Sequence, residues 1–498
     1  MLAQKLILGY GSKLLIQFVQ IAVSIVVARI AGPTVLGTVA YGLAFVSLFA
    51  FIADLGTGPA HIKLISEGRD LGKCLSTFLV IKTALTGLFF AVVLGLLLAQ
   101  KFVFHVEFES VAHQYVVVIF LIAITLQQLL GIFKVTFAAK TEQAKYDIPD
   151  LIRVLTSQLL RITVVLLGLR AVALASANLV STILVIPVVL FLFKGYHFSH
   201  FDKVLARQYF RISLPVMIMG MSTMAVSYLD KVLLQYYTNA ASVGIYTAGY
   251  KIGSLVLMIA NSIGLLFFPL FSKAASSRDF QYIKTTIGKV ERFSFLFIMP
   301  AVIFLSLYSD VIIKVLLGSQ YLSSIPVMTI INLAMFLMVI NAPYGNVITA
   351  MGFFKLAALL NIANLSVFIL LMCVLPNPKI LNLGAIGAAV TVFISNLLTG
   401  VLYRFYAKRK CPVLNMRVSL KFVLFGIGNF VTFRVLYTNL SALYGINFKI
   451  AFVLLYFVVT YLVLLSLGWI KRNDVRNLKE LINIKKMNHY IRSEIKWK

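Results

Sequence analysis

The stretch Asp230–Asp279, DKVLLQYYTNAASVGIYTAGYKIGSLVLMIANSIGLLFFPLFSKAASSRD, decides the fold of this chain. Two long apolar runs are separated by a short turn at Asn239, and a polar, basic loop follows the second run. Apolar helices of about 20 residues cross the hydrocarbon core of a bilayer, and basic loops stay on its cytoplasmic side. The stretch therefore predicts two membrane spans and their cytoplasmic exit.

The same pattern occurs a second time, 207 positions earlier. The corresponding pairs are Gly244 with Gly37, Gly249 with Gly42, Asn261 with Asp54 and, a few positions out of step, Arg278-Asp279 with Arg69-Asp70. Glycines, a polar membrane position and an exit loop that recur in one order indicate an internal duplication. We expect the two halves of the chain to be related structural repeats.

Composition places the whole chain in the membrane. Of the 498 residues, 61% are hydrophobic and only 12% are charged, too few polar side chains to cover a soluble protein of this size. The apolar residues come in long runs, which predicts an all-α polytopic membrane protein rather than a β-barrel. We predict about 14 spans, at 12–31, 36–55, 75–99, 113–138, 150–169, 172–193, 212–237, 243–270, 293–313, 325–350, 355–375, 382–406, 418–437 and 449–470.

These spans group into two pseudo-symmetric six-helix lobes and two C-terminal helices. The predicted segments are an N-terminal lobe 1–193, a basic cytoplasmic linker 194–211, a C-terminal lobe 212–406, extra helices 407–470 and a basic tail 471–498. The first span is expected to remain uncleaved, because no small-residue cleavage site follows it. Three scattered cysteines predict no disulfide framework.

The distribution of Lys and Arg predicts the orientation. The segments assigned to the inner side hold 30 of the 45 basic residues, whereas the outer loops hold five. This asymmetry favours an even number of spans with both termini cytoplasmic. Topology and anionic membrane lipids account for most of the net charge of +29, so no nucleic-acid partner is expected.

The fifth predicted span carries the sharpest cluster of polar residues. Arg153, Ser157 and Arg161 are spaced four and four, which places them on one helical face. Two guanidinium groups on one face suit a diphosphate, since each donates two hydrogen bonds to phosphate oxygens. The alternative is structural: Asp150 neutralises Arg153, and Arg161 pairs with a neighbouring helix.

Apart from acids at helix ends, two acids are predicted to lie well within spans, Asp230 and Asp54, and Asn261 occupies the position equivalent to Asp54. These three residues are the candidates for binding a coupling ion, H⁺ or Na⁺, because a carboxylate in a low-dielectric cavity can exchange a proton or cation. The structural alternative for Asp230 is an ion pair with Lys231 or Lys251. For Asp54, which is close to a helix end, the structural interpretation is favoured.

Further polar side chains follow the first and eighth spans. They comprise Lys13, Gln17 and Gln20 on the first and Tyr250 and Lys251 on the eighth. We expect them to line the same cavity as Arg153 and Arg161, although such stripes also hold membrane helices together. Lys134, Arg404 and Lys421 lie near span ends, where we expect them to extend to the interface. The segment 341–346, NAPYGN, is expected to interrupt the tenth helix.

Several enzyme classes lack their motifs here. The sequence has no G-x-x-x-x-G-K-[ST] loop for nucleotide binding and no H-E-x-x-H for zinc. The outer loops are short, whereas an intramembrane glycosyltransferase or ligase needs room for its acceptor. The sequence therefore predicts no metal or organic cofactor and no direct ATP hydrolysis. The functions that stay open include a multidrug exporter, a glycan polymerase or ligase, and a scaffold of an envelope-assembly complex.

Several segments together resemble a known family. They are ARIAGPTVLGTVAYGLAFVSLFAFIADLGTGPA, YLDKVLLQYYTNAASVGIYTAGYKIGSL, PLFSKAASSRD, ITAMGFFKLAALLNIAN and LGAIGAAVTVFISN. They resemble the Wzx-type polysaccharide-repeat flippases of the multidrug/oligosaccharidyl-lipid/polysaccharide (MOP) exporter superfamily, over essentially the whole chain.

The resemblance implies a V-shaped transporter with a cationic cavity in the cytoplasmic membrane. It also implies a lipid-linked oligosaccharide as substrate and an ion gradient as energy source. The implied partners are membrane lipids, a glycan polymerase and other envelope-assembly proteins.

Overall fold

The computed structural model describes residues 2–103, 105, 107–257, 270–411, 417–441 and 446–466, and these contain helices and turns but no strand. The α-helices of the first part are α1 (Leu2–Phe49), α2 (Phe51–Asp54), α3 (Thr57–Ser66), α4 (Leu71–Phe102), α5 (Val111–Ala139), α6 (Gln143–Leu166), α7 (Ala171–Leu192), α8 (Lys203–Tyr237) and α9 (Ala240–Gly253). Those of the second part are α10 (Phe280–Phe293), α11 (Met299–Leu307), α12 (Ser309–Leu316), α13 (Ile325–Ala350), α14 (Phe354–Val374), α15 (Gly384–Lys410), α16 (Arg417–Ser441) and α17 (Ile446–Ser466). A π-helical segment, Ser294–Ile298, joins α10 to α11.

Eight stretches of the described chain are long and apolar enough to cross a membrane. The prediction of an all-α, multi-pass membrane protein is thus confirmed, while the count of fourteen spans stays a prediction. Helix α6 is not among the eight, because Asp150, Arg153 and Arg161 interrupt its apolar residues. The charged residues therefore make α6 less hydrophobic than the eight candidate spans.

The first two predicted spans meet at Gly32. This residue adopts φ 83° and ψ 169°, a backbone conformation outside the helical region and one that favours glycine. Pro33 follows at once, and its fixed φ suits the start of the next helical segment. The predicted end of the first span at residue 31 therefore coincides with a kink that divides α1 into two helical segments.

The chain forms two compact units. The first contains residues 1–247 and 372–388, and the second contains residues 248–371 and 389–498. The predicted lobes are defined by a repeat in the sequence, whereas the two units are defined by their internal contacts. The boundaries of the lobes therefore stay predictions. Within the predicted linker 194–211, α8 already begins at Lys203, and the Asp202 carboxylate caps it by accepting from the backbone of Val204 and Leu205.

The core of the first unit is apolar and is shared by several long helices. Phe89 and Val93 of α4 and Val116 and Phe120 of α5 are fully or almost fully buried there, and Val46 of α1 packs with them. Large side chains at these spacings lie on one face of each helix. The helix that carries the candidate anion site, α6, packs against α1 and α7 in the same unit.

Close backbone contacts in the first unit follow the sequence repeat. A Cβ atom at Gly37 would overlap the carbonyl oxygen of Ala240, and one at Gly244 would overlap that of Pro33. Because Pro33 corresponds to Ala240 and Gly37 to Gly244, the contact is reciprocal, as at an interface between two-fold-related parts. The two helices cross here with no room for a side chain.

The second pair of repeated glycines has equivalent surroundings in each unit. In the first unit, a Cβ at Gly42 would lie 2.6 Å from Cγ1 of Val116, near the start of α5. In the second unit, a Cβ at Gly249 would lie 2.9 Å from Cγ1 of Val327, near the start of α13. Gly42 thus packs against a valine of the predicted fourth span, and Gly249 packs against a valine of the predicted tenth span. These two spans are equivalent in the two predicted repeats.

The expected interruption of the tenth helix is wrong. Helix α13 is continuous from Ile325 to Ala350 with Pro343 inside it. Proline removes one backbone donor and crowds the preceding turn. Backbone carbonyl groups in that turn are therefore stabilised by hydrogen bonds from neighbouring helices. Arg404 of α15 provides a hydrogen bond to the Ile340 carbonyl in that turn, at 3.1 Å.

Candidate functional site

The polar face of α6 is present as predicted. Arg153, Ser157 and Arg161 lie within one continuous helix, so their spacing of four keeps them on one face. Ser157 is buried, and both arginines are partly buried. A stripe of this kind is costly inside a membrane, since a charge at a helix centre costs about 2.5–3.5 kcal/mol on insertion scales.

Arg153 lines a small cavity, and a second cationic side chain, that of Lys134, lines the same cavity. Its Nε is 3.8 Å from Oδ1 of Asp150, while Nζ of Lys134 is 2.6 Å from Oδ2 of the same carboxylate. All three side chains line a cavity of about 200 Å³, together with Gln127 and Gln128. The structural alternative for Arg153 is thus present, but one carboxylate serves two cations, and the cluster keeps an excess positive charge.

Arg161 differs from Arg153 in its surroundings. Within the part of the chain that the structure describes, it makes no hydrogen bond and no ion pair. Three residues earlier, the amide oxygen of Gln158 is buried and likewise has no partner among the described atoms. A partly buried guanidinium and a buried amide acceptor, one helical turn apart, are groups that can bind an anion and a hydrogen-bond donor.

Asp230 is held in a closed cluster. Its carboxylate, buried to 2% exposure, lies 2.9 Å from Nζ of Lys231 and accepts a hydrogen bond of 2.7 Å from the hydroxyl group of Tyr246. The pairing with Lys231 that the sequence offered as the structural alternative is therefore present. That Asp230 binds a coupling ion stays a prediction.

Asp54 neutralises a lysine from the next long helix. Nζ of Lys82 lies 2.9 Å from Oδ1 of Asp54, and the lysine side chain is 4% exposed whereas the aspartate is 41% exposed. This geometry matches the structural interpretation that the sequence favoured. The equivalent residue of the other repeat, Asn261, lies outside the described residues.

The remaining candidates are more widely distributed. Gln17 is exposed and Gln20 partly buried on α1, and the side chain of Lys13 lies outside the described part. In the second unit, Tyr250 is partly buried and Lys251 exposed. That these five side chains share one cavity with the arginines of α6 stays a prediction.

Sequence reasoning missed a buried charge network in the second unit. Nη1 of Arg404 lies 2.8 Å from Oε1 of Glu291, which also accepts from the hydroxyl group of Tyr344 at 2.8 Å. Nε of Arg404 donates to Asn341 Oδ1 at 2.7 Å. The expectation that Arg404 extends to the interface is wrong. The predicted ninth span begins at residue 293, so Glu291 falls in a predicted loop. The amphipathic pattern of α10 is the sequence signal that indicates a helix there.

No group of three or more His, Cys, Asp or Glu side chains among the described residues is arranged to hold a metal ion. The ligand groups that the described chain presents are guanidinium, amide and hydroxyl groups on a membrane helix. Such groups recognise phosphates and sugars.

The helices and the cation-bearing α6 define a multi-pass helical membrane protein with a candidate anion site. Residues 26–326 match the model of the family described as polysaccharide biosynthesis protein. The chain belongs to this family, and the resemblance predicted from the sequence is confirmed.

The relatives of this chain include a glycan flippase and an O-antigen transporter. The probable low-salt glycan biosynthesis flippase Agl15 of Haloferax volcanii is 23% identical over 408 residues, 80% of this chain and 81% of the relative. A putative O-antigen transporter of Shigella flexneri is 25% identical over 187 residues, 37% of this chain and 43% of the relative.

Solved structures share the fold. The lipid II flippase MurJ in an inward closed conformation matches with a TM-score of 0.71 at 16% identity, covering 93% of this chain and 99% of that one. An inward-facing MATE transporter of the MOP superfamily matches with a TM-score of 0.65 at 13% identity, covering 79% of this chain and 95% of that one. At these identities the likeness concerns the fold alone.

Proposed function

We propose that the protein flips polyprenyl-diphosphate-linked oligosaccharide repeat units from the inner to the outer leaflet of the cytoplasmic membrane, for the assembly of a surface glycan. The observation that carries this proposal is Arg161, a partly buried cation in a membrane helix with no partner in the described chain. The names of the relatives, a glycan biosynthesis flippase and an O-antigen transporter, support the substrate class.

In this proposal α6 holds the diphosphate. Arg161 and Arg153 donate hydrogen bonds to its oxygens, and the excess positive charge around Asp150 attracts it. Ser157 and the amide group of Gln158 lie between the arginines along the helix and can meet the first sugar. Gln17, Gln20, Tyr250 and Lys251 are the candidates for the rest of the glycan, while the prenyl chain stays in lipid.

Transport proceeds in this proposal by alternating access of two related halves, with a coupling ion, H⁺ or Na⁺, bound at Asp230. The reciprocal contact of Gly37 with Ala240 and of Gly244 with Pro33 supports a two-fold relation of the repeats. Breaking the Asp230–Lys231 pair by protonation or cation binding would change the balance between two conformations. Asp54 stays the weaker candidate, because it serves the buried Lys82.

The test is reconstitution into liposomes with a fluorescent prenyl-diphosphate oligosaccharide, measuring leaflet accessibility with and without an imposed ion gradient. We expect gradient-stimulated translocation by the wild-type protein. A bidentate hydrogen bond to a charged group contributes about 1.5–3 kcal/mol, so Arg161→Ala should slow translocation about 10- to 100-fold. The matched control is Arg170→Ala, which removes an exposed cation just beyond the same helix.

Each failure has its own meaning. Translocation that continues unchanged in Arg161→Ala contradicts the anion site but leaves the flippase. Absence of translocation for several lipid-linked glycans contradicts the flippase and favours an assembly, polymerase or ligase role. Transport of cationic drugs instead would identify a multidrug exporter, although the excess of basic over acidic side chains in the predicted spans disfavours that substrate class.

A further inference from the structure

A second, separate group of cations meets at the turn between α13 and α14, in the second unit. Lys355 at the start of α14 and Arg409 and Lys410 at the end of α15 line one cavity of about 660 Å³. We call it the basic pocket. Its aromatic lining comes from Phe353, Phe354 and Tyr406. No acidic side chain belongs to the lining that the structure describes.

The wall of the basic pocket is held by a fixed turn. Gly352 adopts φ 81° after the last turn of α13, and its N–H donates to Thr349 O at 3.0 Å. The N–H of Phe353 donates to Ile348 O at 3.1 Å, which completes a Schellman C-cap. Nζ of Lys410 lies 4.5 Å from the centre of the Phe353 ring. The conformation of this wall is therefore fixed by helix-capping hydrogen bonds within the chain.

A structural explanation exists for only part of this charge. Basic residues in the last turn of a helix are favourable because they oppose the negative end of its dipole, which suits Arg409 and Lys410. The same argument disfavours Lys355, which lies at the positive N-terminal end of α14. Three like charges around one cavity repel one another unless an anion lies between them.

The geometry points to a binding site for the phosphate headgroup of an anionic membrane lipid. The predicted orientation places the turn between α13 and α14 and the end of α15 at the cytoplasmic surface, where anionic lipids attract clustered Lys and Arg. Phe354, 56% exposed, lies beside the cations as interfacial aromatic residues do, and offers apolar surface to the acyl chains. The site shares no residue with α6, and its proposal does not rest on the proposed transport activity.

The basic pocket is tested by native mass spectrometry of the detergent-solubilised full chain, titrated with phosphatidylglycerol or phosphatidylcholine. We expect phosphatidylglycerol to be retained in preference to phosphatidylcholine. A basic residue near the surface contributes about fivefold in affinity. Arg409→Gln should therefore weaken retention about fivefold, and Lys355→Gln/Arg409→Gln about 25-fold. The matched control is Lys408→Gln, an exposed cation on the same helical turn outside the pocket lining.

Three results would overturn the proposal. One is equal weakening by Lys408→Gln and Arg409→Gln, which indicates general attraction to a basic surface. Another is equal retention of the two lipids. The third is displacement of phosphatidylglycerol by inorganic phosphate at equal concentration, which identifies a site for a soluble anion. Thermal unfolding serves as a second readout: phosphatidylglycerol should raise the Tm of the wild-type protein and of Lys408→Gln but not of the double variant.

Discussion

Two arginines inside helices, the partly buried Arg161 and the buried Arg404, differ in their surroundings. Arg404 is satisfied by Glu291 and Asn341, so its removal leaves a buried carboxylate without its cation. Arg161 has no such partner among the described residues, and its removal relieves the cost of a partly buried charge. The same class of substitution should therefore have opposite effects on stability at the two positions.

We predict that Arg161→Leu raises the free energy of unfolding by about 1 kcal/mol, while it lowers translocation. Arg404→Leu should lower the free energy of unfolding by about 3 kcal/mol or more. Unfolding of the solubilised protein, followed by circular dichroism, measures both. A loss of stability in Arg161→Leu would show that a structural partner had been removed, and that the residue is not held ready for an anion.

Asp230 permits a similar separation of structure from coupling. Asp230→Asn leaves Lys231 inside the cluster without its counter-ion and should cost about 3 kcal/mol of stability. Asp230→Asn/Lys231→Met removes the stranded charge and should recover most of that loss. Gradient-stimulated translocation should stay absent from the double variant, because no carboxylate remains at the site to bind the coupling ion. Recovery of both stability and gradient dependence would assign the pair a structural role only.

Among the helices, the crossing at Gly37 and Gly244 is the most constrained contact in the described chain, because each missing side chain faces a backbone carbonyl group. Backbone cannot change rotamer to relieve an overlap. Gly37→Ala and Gly244→Ala should each destabilise by about 1–3 kcal/mol, the usual cost of overpacking. Gly87→Ala in α4 is the control, since nothing lies within 4 Å of its added methyl group, and better helix propensity should stabilise it by up to about 1 kcal/mol. Equal effects at all three positions would contradict the tight crossing.

The loops that precede α6 and follow α7 are joined by a pH-sensitive contact. The Tyr196 hydroxyl group donates to Oε2 of Glu142 at 2.7 Å, and Nζ of Lys145 lies 3.0 Å from the same oxygen. Partial burial raises the pKa of Glu142, but the hydrogen bonds from Tyr196 and Lys145 outweigh it and hold that pKa below its ordinary value of 4.5. A depressed carboxyl pKa contributes stability above the unfolded pKa and loses it as the pH falls through the folded pKa.

We therefore expect wild-type protein to be more stable than Glu142→Gln at neutral pH, by less than about 1 kcal/mol because the pair is partly exposed. The difference should disappear as the pH falls through the depressed pKa of the folded state, because the carboxylate is then protonated in both states. Tm values of the two proteins across the acidic range measure it. A difference that persists at the lowest pH would assign the effect to packing of the side chain.

The sequence predicted the helical fold, the break at Gly32 and the face of α6, because apolar runs, Gly-Pro pairs and a spacing of four are local signals. It did not predict which charges are paired. Asp150 is shared by a residue three positions away and by Lys134, and Arg404 reaches Glu291 across 113 positions. Partners distant in sequence are decided by packing, which periodicity does not report. That is also why the sequence left open whether Arg161 binds an anion or pairs with a neighbouring helix.

For the whole molecule, the direction of the proposed transport depends on the orientation in the membrane. Thirty basic residues on one side predict that side to be cytoplasmic, and no local contact bears on this prediction. The orientation can be measured with single cysteines, introduced into a variant whose Cys74, Cys373 and Cys411 have been replaced. Lys379→Cys, exposed in a predicted outer loop, should react with a membrane-impermeant thiol reagent in intact cells. Lys284→Cys, exposed on α10, should react only after the membrane is permeabilised.

The opposite pattern of labelling would place the basic pocket at the outer surface, away from the leaflet whose anionic lipids it is proposed to bind. It would also reverse the side of the membrane from which α6 receives its substrate. The two cysteines therefore test the one assumption that the flippase and the lipid site share, without relying on the activity of either.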